Sequence, residues 1–337
     1  MTGSDISMTA PALLRQLIAF DTTSHLSNLA LVDFVTGLMD RYGMRYELIP
    51  NEDGTKANLY GTIGGDGPDL LDGGGGTDTV DYSASQAGIS VNLVTGMGVG
   101  GTAEGDTLVS IEHIIGTQEN DVIRGENSSY LFEAGDGDDL LTSGSGSDRL
   151  YGGAGDDTIS SGSGVDLLYG GEGDDRLSTV GPGSDELYGE SGNDQLTSGS
   201  GQDDLYGGDG DDILRGGAGS DALYGENGND FLDGGAQFDF LSGGEGDDTI
   251  IDGGSFDTCR GDEGDDTFLP TKDSMRDNFY GGDGIDTVSY AHATESILIN
   301  FAARWAGSSG WATERGAPNY LHSIERGIGG SGNDQLI

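Results

Sequence analysis

An aspartate recurs every nine residues along most of this 337-residue chain, and nearly every one follows a short glycine-rich stretch. Blocks of nine run from Gly116 to Ser178, skip Thr179 and resume from Val180 to Leu269. Two more cover Gly64 to Asp81, one covers Gly281 to Ser289 and one Gly329 to Ile337, 21 in all. The sixth position is aspartate in 20 of the 21, Tyr130 being the exception, and the eighth is always apolar. Glycines let such a turn take positive φ and bring backbone carbonyls to one point, so carboxylate and carbonyl oxygens converge. Hard oxygen donors in a flexible cage suit calcium, which takes six to eight of them. All four histidines, His25, His113, His292 and His322, lie outside the blocks, and the single cysteine, Cys259, holds an apolar position. Zinc and copper chemistry is therefore not indicated.

The elements that must position these oxygens follow from the template G-G-x-G-x-D-x-U-x, where U is apolar. Six residues make a turn and three make a strand, whose x-U-x triplet alternates out, in, out and sends one apolar side chain inward. Such strands are too short to stand alone, so they must stack. A period of 18 overlies the period of nine. The ninth position is Tyr151, Tyr169, Tyr188, Tyr206 and Tyr224 in one parity, and Thr142, Ser160, Ser178, Thr197, Arg215 and Asp233 in the other. One coil is thus two blocks, with two chemically distinct sides, and the tyrosines are expected to form a ladder spaced by about 4.8 Å.

Composition fits no ordinary enzyme domain: 60 acidic residues against 14 basic ones give a formal charge of −46, and 65 residues are glycine. A polyanion of this size is repelled by nucleic acid. Acidic residues placed periodically rather than in runs argue against a disordered tail. No stretch approaches the roughly 20 apolar residues that cross a bilayer. The first apolar run, Leu13 to Phe20, is broken by Arg15 and Gln16 and does not read as a signal-peptide core.

The repeats resemble the RTX, or haemolysin-type calcium-binding, family, and GGAGDDTIS from Gly152 to Ser160 is close to its ideal unit. The resemblance implies an all-β fold, a right-handed parallel β-roll with 18 residues per coil and several Ca2+ ions held between successive turns on each side. In that family one turn gives the sixth-position carboxylate with carbonyls two and four, and the turn one coil later gives carbonyls one, three and five. Carried over, Asp157 with the carbonyls of Gly153 and Gly155 faces those of Gly170, Glu172 and Asp174. The carboxylates so nominated are Asp69, Asp78, Asp121, Asp139, Asp148, Asp157, Asp166, Asp175, Asp185, Asp194, Asp203, Asp212, Asp221, Asp230, Asp248 and Asp266. Representative carbonyl donors are Gly153, Gly155, Gly171, Gly173, Gly208, Gly210, Gly217 and Gly219. The turns holding Gln237, Phe238, Ser255 and Phe256 lack the fourth-position glycine, so weak or empty sites are expected there.

Residues 82–115 break the period and resemble the end of 270–328, where only the block 281–289 keeps it; both read as strands that cap or bridge the roll. Trp305, Trp311 and Tyr320 offer an alternative there, a ligand surface. The main roll is expected over 116–269, after first blocks at 64–81, with a terminal block at 329–337.

Residues 1–63 differ, with amphipathic stripes through Leu13, Leu14, Leu17 and Ile18 and through Leu29, Val32, Phe34, Val35 and Leu38, then extended stretches at 46–49 and 57–63. This small α/β segment, with LLRQLIAFDTTSHLSNLALVDFV and NEDGTKANLYGTIGG, resembles the N-terminus of acetylornithine deacetylases and related zinc metallopeptidases. The family's His-x-Asp zinc motif appears nowhere in the chain, so a remnant without its metal site is expected and not an enzyme. The expected role is a calcium-dependent structural or adhesive module, extracellular or at the cell surface by resemblance, with an extracellular protein or polysaccharide as partner. The alternative is a non-catalytic repeat fragment of a larger secreted enzyme.

Overall fold

The computed structural model describes residues 45–50, 57–62, 68–272, 275–294, 296, 298–300, 310–313 and 319–336. It divides into two compact units, Met1–Asp69 and Leu70–Ile337. In the first unit, Arg45–Pro50 pairs antiparallel with Ala57–Thr62, in line with the two extended stretches read there. The amphipathic stripes before them lie outside the described residues.

The second unit is a parallel β-roll. Strands pair with residues 18 positions along the chain, for example Leu150 with Leu168 and Ile159 with Leu177, so each coil contributes one strand to each of two 15-stranded sheets. Eighth-position side chains from both sheets meet in the middle: Leu150, Ile159, Leu168, Leu187, Leu196, Leu205, Leu214, Leu223, Leu232 and Leu241 are all 0% exposed. Burying one such leucine is worth about 1.5–3 kcal/mol, so a one-residue-wide core gains stability only by repetition along the axis. Thr179 is accommodated between coils, where its N–H donates to the Thr197 carbonyl, and Tyr169 still pairs with Tyr188 across the insertion.

The two sheets are not equivalent. In the serine and threonine sheet most strands are three residues long, as in Leu140–Thr142 and Thr158–Ser160. In the tyrosine sheet they are six long, as in Arg149–Ala154 and Leu167–Glu172, which corrects the uniform three-residue strand expected from the template. The reason is local. After the tyrosine, the first three turn residues stay in ladder register, Gly153 opposite Gly171 and Ala154 opposite Glu172, because glycine at φ 124° and 121° keeps the chain beside its neighbour. On the opposite edge the turns instead form a small sheet of Pro182–Gly183, Ser200–Gly201 and Ala218–Gly219.

Both period-breaking segments insert antiparallel strands. Ser90–Asn92 and Met97–Val99 join the serine and threonine sheet, with Ile89 and Val91 buried. Leu298–Asn300 and Gly310–Thr313 lead into Asn319–His322 in the tyrosine sheet. Tyr320 is partly exposed and its hydroxyl accepts from Arg276 at 2.9 Å; Trp305 and the side chain of Trp311 lie outside the described residues.

Candidate metal centres

From Asp139 to Asp286 the sixth-position aspartates turn their carboxylates back toward the preceding coil. The backbone N–H of Asp139 donates to Asp157 Oδ1 at 2.7 Å, that of Asp157 to Asp175 Oδ1 at 2.7 Å and that of Asp212 to Asp230 Oδ1 at 2.7 Å. Along the opposite edge Asp148 donates to Asp166, Asp166 to Asp185 and Asp203 to Asp221 at 2.9–3.0 Å. One carboxylate oxygen is thereby used. The other is buried without a hydrogen-bond partner at Asp139, Asp148, Asp157, Asp166, Asp175, Asp194, Asp203, Asp212, Asp221, Asp230, Asp248 and Asp266.

The turn is built around that second oxygen. A methyl group on Gly152 would overlap Asp157 Oδ2 and stand 2.7 Å from the Gly170 carbonyl of the next coil, so the carboxylate oxygen and a carbonyl oxygen share one small space. The same overlap would occur at Gly170 with Asp175, at Gly189 with Asp194 and at Gly207 with Asp212. Carbonyls two and four point the same way: a methyl on Gly171 would overlap the Gly153 oxygen, and one on Gly173 the Gly155 oxygen. The Glu172 carbonyl accepts from the Gly155 N–H at 2.7 Å, which leaves it a second lone pair. Orphaned carboxylate oxygens beside converging carbonyls fit a hard divalent cation. Gly153, Gly155, Gly171, Gly173, Gly208, Gly210 and Gly217 all hold positive φ, whereas Gly219 lies in a short strand of the opposite edge.

Burial sets the electrostatics of these groups. Desolvation, with like charges from the columns or from the position-five row, pushes Asp157, Asp185, Asp194 and Asp230 up to about 6 and Asp175, Asp221 and Asp266 up to about 7. Asp139, Asp212, Asp239 and Asp248 rise to about 8. Hydrogen bonds from backbone N–H groups oppose the rise without cancelling it. Among the described residues no three His, Cys, Asp or Glu side chains gather into one cluster, in keeping with one carboxylate per turn.

Several nominated residues stand apart from this pattern. Asp121 uses both oxygens, accepting from the N–H groups of Ile89 and Thr117. Asp69 closes the first unit, and Asp78, partly buried, keeps an unpartnered Oδ2 beside its position-one Gly73 but donates its N–H to Glu112 rather than to a column aspartate. Conversely, Asp239 and Asp257 occupy the same ladder as their neighbours, at 2.9 and 2.8 Å, although their turns lack the fourth-position glycine. Gln237 and Ser255 hold the positive φ, 86° and 128°, that glycine holds elsewhere. Asp277 continues the same column, its Oδ1 accepting from the Asp257 N–H at 3.1 Å, and Asp286 extends the other. The signal for Asp277 was present as Asp277-Asn278-Phe279-Tyr280, an intact D-x-U-x displaced by a turn two residues too long.

Position five makes a second, exposed ladder that runs the opposite way. Asp138 Oδ1 accepts from the Asp156 N–H at 3.1 Å, Asp156 from Asp174, Asp174 from Asn193, Asn193 from Asp211 and Asp211 from Asn229. Asn193 and Asn229 interrupt a row that would otherwise repeat the same charge at each coil.

A search of curated proteins gave no match. The family model described as RTX calcium-binding nonapeptide repeat (4 copies) matches residues 63–84, 110–141, 133–168, 142–177, 169–205, 179–214, 206–241 and 233–268, together more than half of the chain. With its columns of turn carboxylates and its parallel roll, the chain belongs to the RTX calcium-binding repeat family, whose repeats bind Ca2+ at multiple sites.

Proposed function

We propose that this chain is a calcium-folded structural or adhesive module that works outside the cell, where its partner is a protein or a polysaccharide. The observation that carries the reading is the pair of buried aspartate columns, each carboxylate with one oxygen tied to the neighbouring coil and, at most positions, one oxygen without a partner. Calcium would supply the positive charge there, bridging the sixth-position carboxylate and carbonyls two and four of one turn to carbonyls of the turn one coil later. For the turn of Asp157 these are Gly153 and Gly155, then Gly170, Glu172 and Asp174. RTX repeats are typical of secreted proteins and their roll is typically non-catalytic, which supports an extracellular binding role. Binding to the folded state alone adds stability by mass action.

For the partner, the exposed face of the tyrosine sheet is the favoured surface. Tyr151, Tyr169, Tyr188, Tyr206 and Tyr224 stack with centroids 4.9, 4.7, 4.8 and 5.0 Å apart and planes within 9°. Stacked rings with few rotamers to fix give contact area at low entropic cost. Calcium titration of the full chain at pH 8, followed by circular dichroism and calorimetry, tests the folding claim: β structure and a cooperative melt should appear with calcium. A melt at pH 8 unchanged by chelation would refute it.

A further inference from the structure

The tyrosine ladder offers its edge to solvent and not its ring faces. Tyr169, Tyr188 and Tyr206 each have a ring on either side, with centroids 4.7–5.0 Å apart and planes within 9°. A sugar stacks on a bare ring face, so these inner rings have no place for one. What they present is a line of ring edges and hydroxyls, half-buried along the sheet.

Carboxylates border this line on both sides. Glu186 and Asp204, both exposed, precede Tyr188 and Tyr206 by two residues and share their face, and the Tyr188 hydroxyl donates to Glu186 Oε2 at 3.1 Å. On the other side stand Glu190 and Glu226, also exposed, with Gly208 between them in the ladder. The five strands from Leu167–Glu172 to Phe240–Glu245 carry no lysine or arginine. Burial raises the Tyr169 and Tyr206 phenols above their ordinary range, and nearby negative charges raise them further: Glu186 and Glu190 on Tyr169, and Asp204, Glu186 and Glu226 on Tyr206. The hydroxyl line therefore lies in a field that favours a cation.

The acids on the second side are evenly spaced. Glu190, Glu226 and Asp262 take the second turn position, each at φ 76°, where Gly171, Gly208, Gly244 and Gly282 take it in the alternate coils. A side chain in this left-handed region is strained relative to glycine, so an acid at every second coil stands against the backbone's preference. Two coils span about 9.6 Å. Between Glu190 and Glu226 the bare Gly208 opens a shallow groove of about 530 Å³, walled by Tyr188 and Tyr206 and edged by Asp209.

On the reading above that this face meets the partner, we infer that its occupant is an extended basic segment of a protein, with arginine or lysine stems along the ring edges and their charged heads beside Glu190, Asp209 and Glu226. Such stems cover apolar surface while the heads pair with carboxylates. A polyproline-type segment with a cation at every third residue repeats at about 9.3 Å and keeps step with these acids. A second copy of the face would set carboxylate against carboxylate, and a neutral polysaccharide would find neither a bare inner ring face nor a counter-charge.

The test uses the full chain at pH 8 in saturating calcium, so that the buried columns are filled before the probe is added. The probe is a peptide of Arg-Pro-Pro repeats, read by isothermal titration calorimetry. Binding that weakens with salt is expected. Glu190→Gly with Glu226→Gly, which puts back the residue of the alternate coils, should weaken it at least about tenfold, as should Tyr188→Ser with Tyr206→Ser. Glu119→Gln with Glu126→Gln removes the same formal charge from exposed turns before the ladder and should change it by less than about twofold. Equal losses in the two acidic pairs would mean diffuse attraction to a polyanion, and a folded chain that binds no peptide would mean that the face takes no basic segment; either result overturns the basic partner and leaves the calcium reading intact. Binding of a neutral dextran that the tyrosine variants abolish would overturn it in favour of a polysaccharide. A chain that calcium fails to fold at pH 8, by circular dichroism, would overturn both.

Discussion

Removing calcium should make the stability of the roll fall steeply with pH, and the size of the effect follows from the buried columns. Eleven sixth-position carboxyls have folded values of about 6 to 8, against about 3.9 for an ordinary aspartate. A folded value above the unfolded one means that the calcium-free roll binds more protons than the unfolded chain. The stabilisation is therefore fully present below about pH 4 and is lost as pH rises through the folded values of about 6 to 8. At pH 7 a carboxyl raised to about 6 carries a penalty of about 3 kcal/mol, at 1.36 kcal/mol per unit. Neighbours in one column share protons, so the penalties do not add in full. At about 1 kcal/mol each the total is still of order 10 kcal/mol, comparable with the whole stability of a typical domain. Dialysed, calcium-free chain should show β-sheet circular dichroism and a cooperative melt near pH 5 and lose both by pH 8. Added calcium should restore them at pH 8. A calcium-free chain whose spectrum and melt do not change between pH 5 and pH 8 would refute the reasoning.

Asp157→Asn keeps an acceptor for the Asp139 N–H but removes the buried charge, so it should stabilise the calcium-free chain and weaken calcium binding at that turn, as read by paired melts with and without the ion. Gly155→Ala imposes φ +127° on a side chain that would overlap the Gly137 carbonyl, and should cost at least about 2 kcal/mol in the calcium-loaded melt. Glu226→Gly relieves a non-glycine residue at φ 76° and should raise stability by about 0.5–1 kcal/mol by the same measurement. Tyr188→Ser removes two stacked contacts at about 0.5–1.5 kcal/mol each and should diminish the near-ultraviolet circular dichroism while leaving calcium-induced folding in place.

The positions that could be read from the sequence are those whose role is fixed within a single block. The apolar eighth position predicted Leu150, Ile159 and Leu168 in the core, and the sixth predicted a column of carboxylates. Relations between coils were harder to see. Position five alternates in the sequence, but its forward-reaching ladder depends on a neighbour 18 residues away and on a backbone direction that composition does not encode. The missing glycine in the turns of Asp239 and Asp257 gives no sign that both aspartates keep the column geometry. Column geometry depends on the strand that follows the aspartate, and that strand is intact in both blocks, Phe240–Glu245 and Thr258–Glu263. Asp277 was hidden by an 11-residue step in a count that allowed nine.

The two ladders give the roll a direction. A position-six N–H is satisfied by the aspartate of the coil that follows, so each coil's deepest donors depend on the neighbour toward the C-terminus. Position five, on one edge only, reaches the other way and is exposed, so it contributes less. The buried dependence needs a terminator, and the C-terminal segment supplies it: the Asp277 N–H donates to Asn319 Oδ1 at 3.0 Å and that of Asp286 to Glu325 Oε2 at 3.1 Å. At the other end the Ile89 N–H is itself a client of Asp121, so the first antiparallel insertion is held by the roll rather than holding it. Stability in a solenoid is a sum of coil and neighbour terms. Because the buried neighbour term runs one way here, a coil that forms beside Asn319 and Glu325 finds its donors already matched. A coil that forms first at the opposite end leaves a buried N–H waiting for a carboxylate that has not yet been ordered.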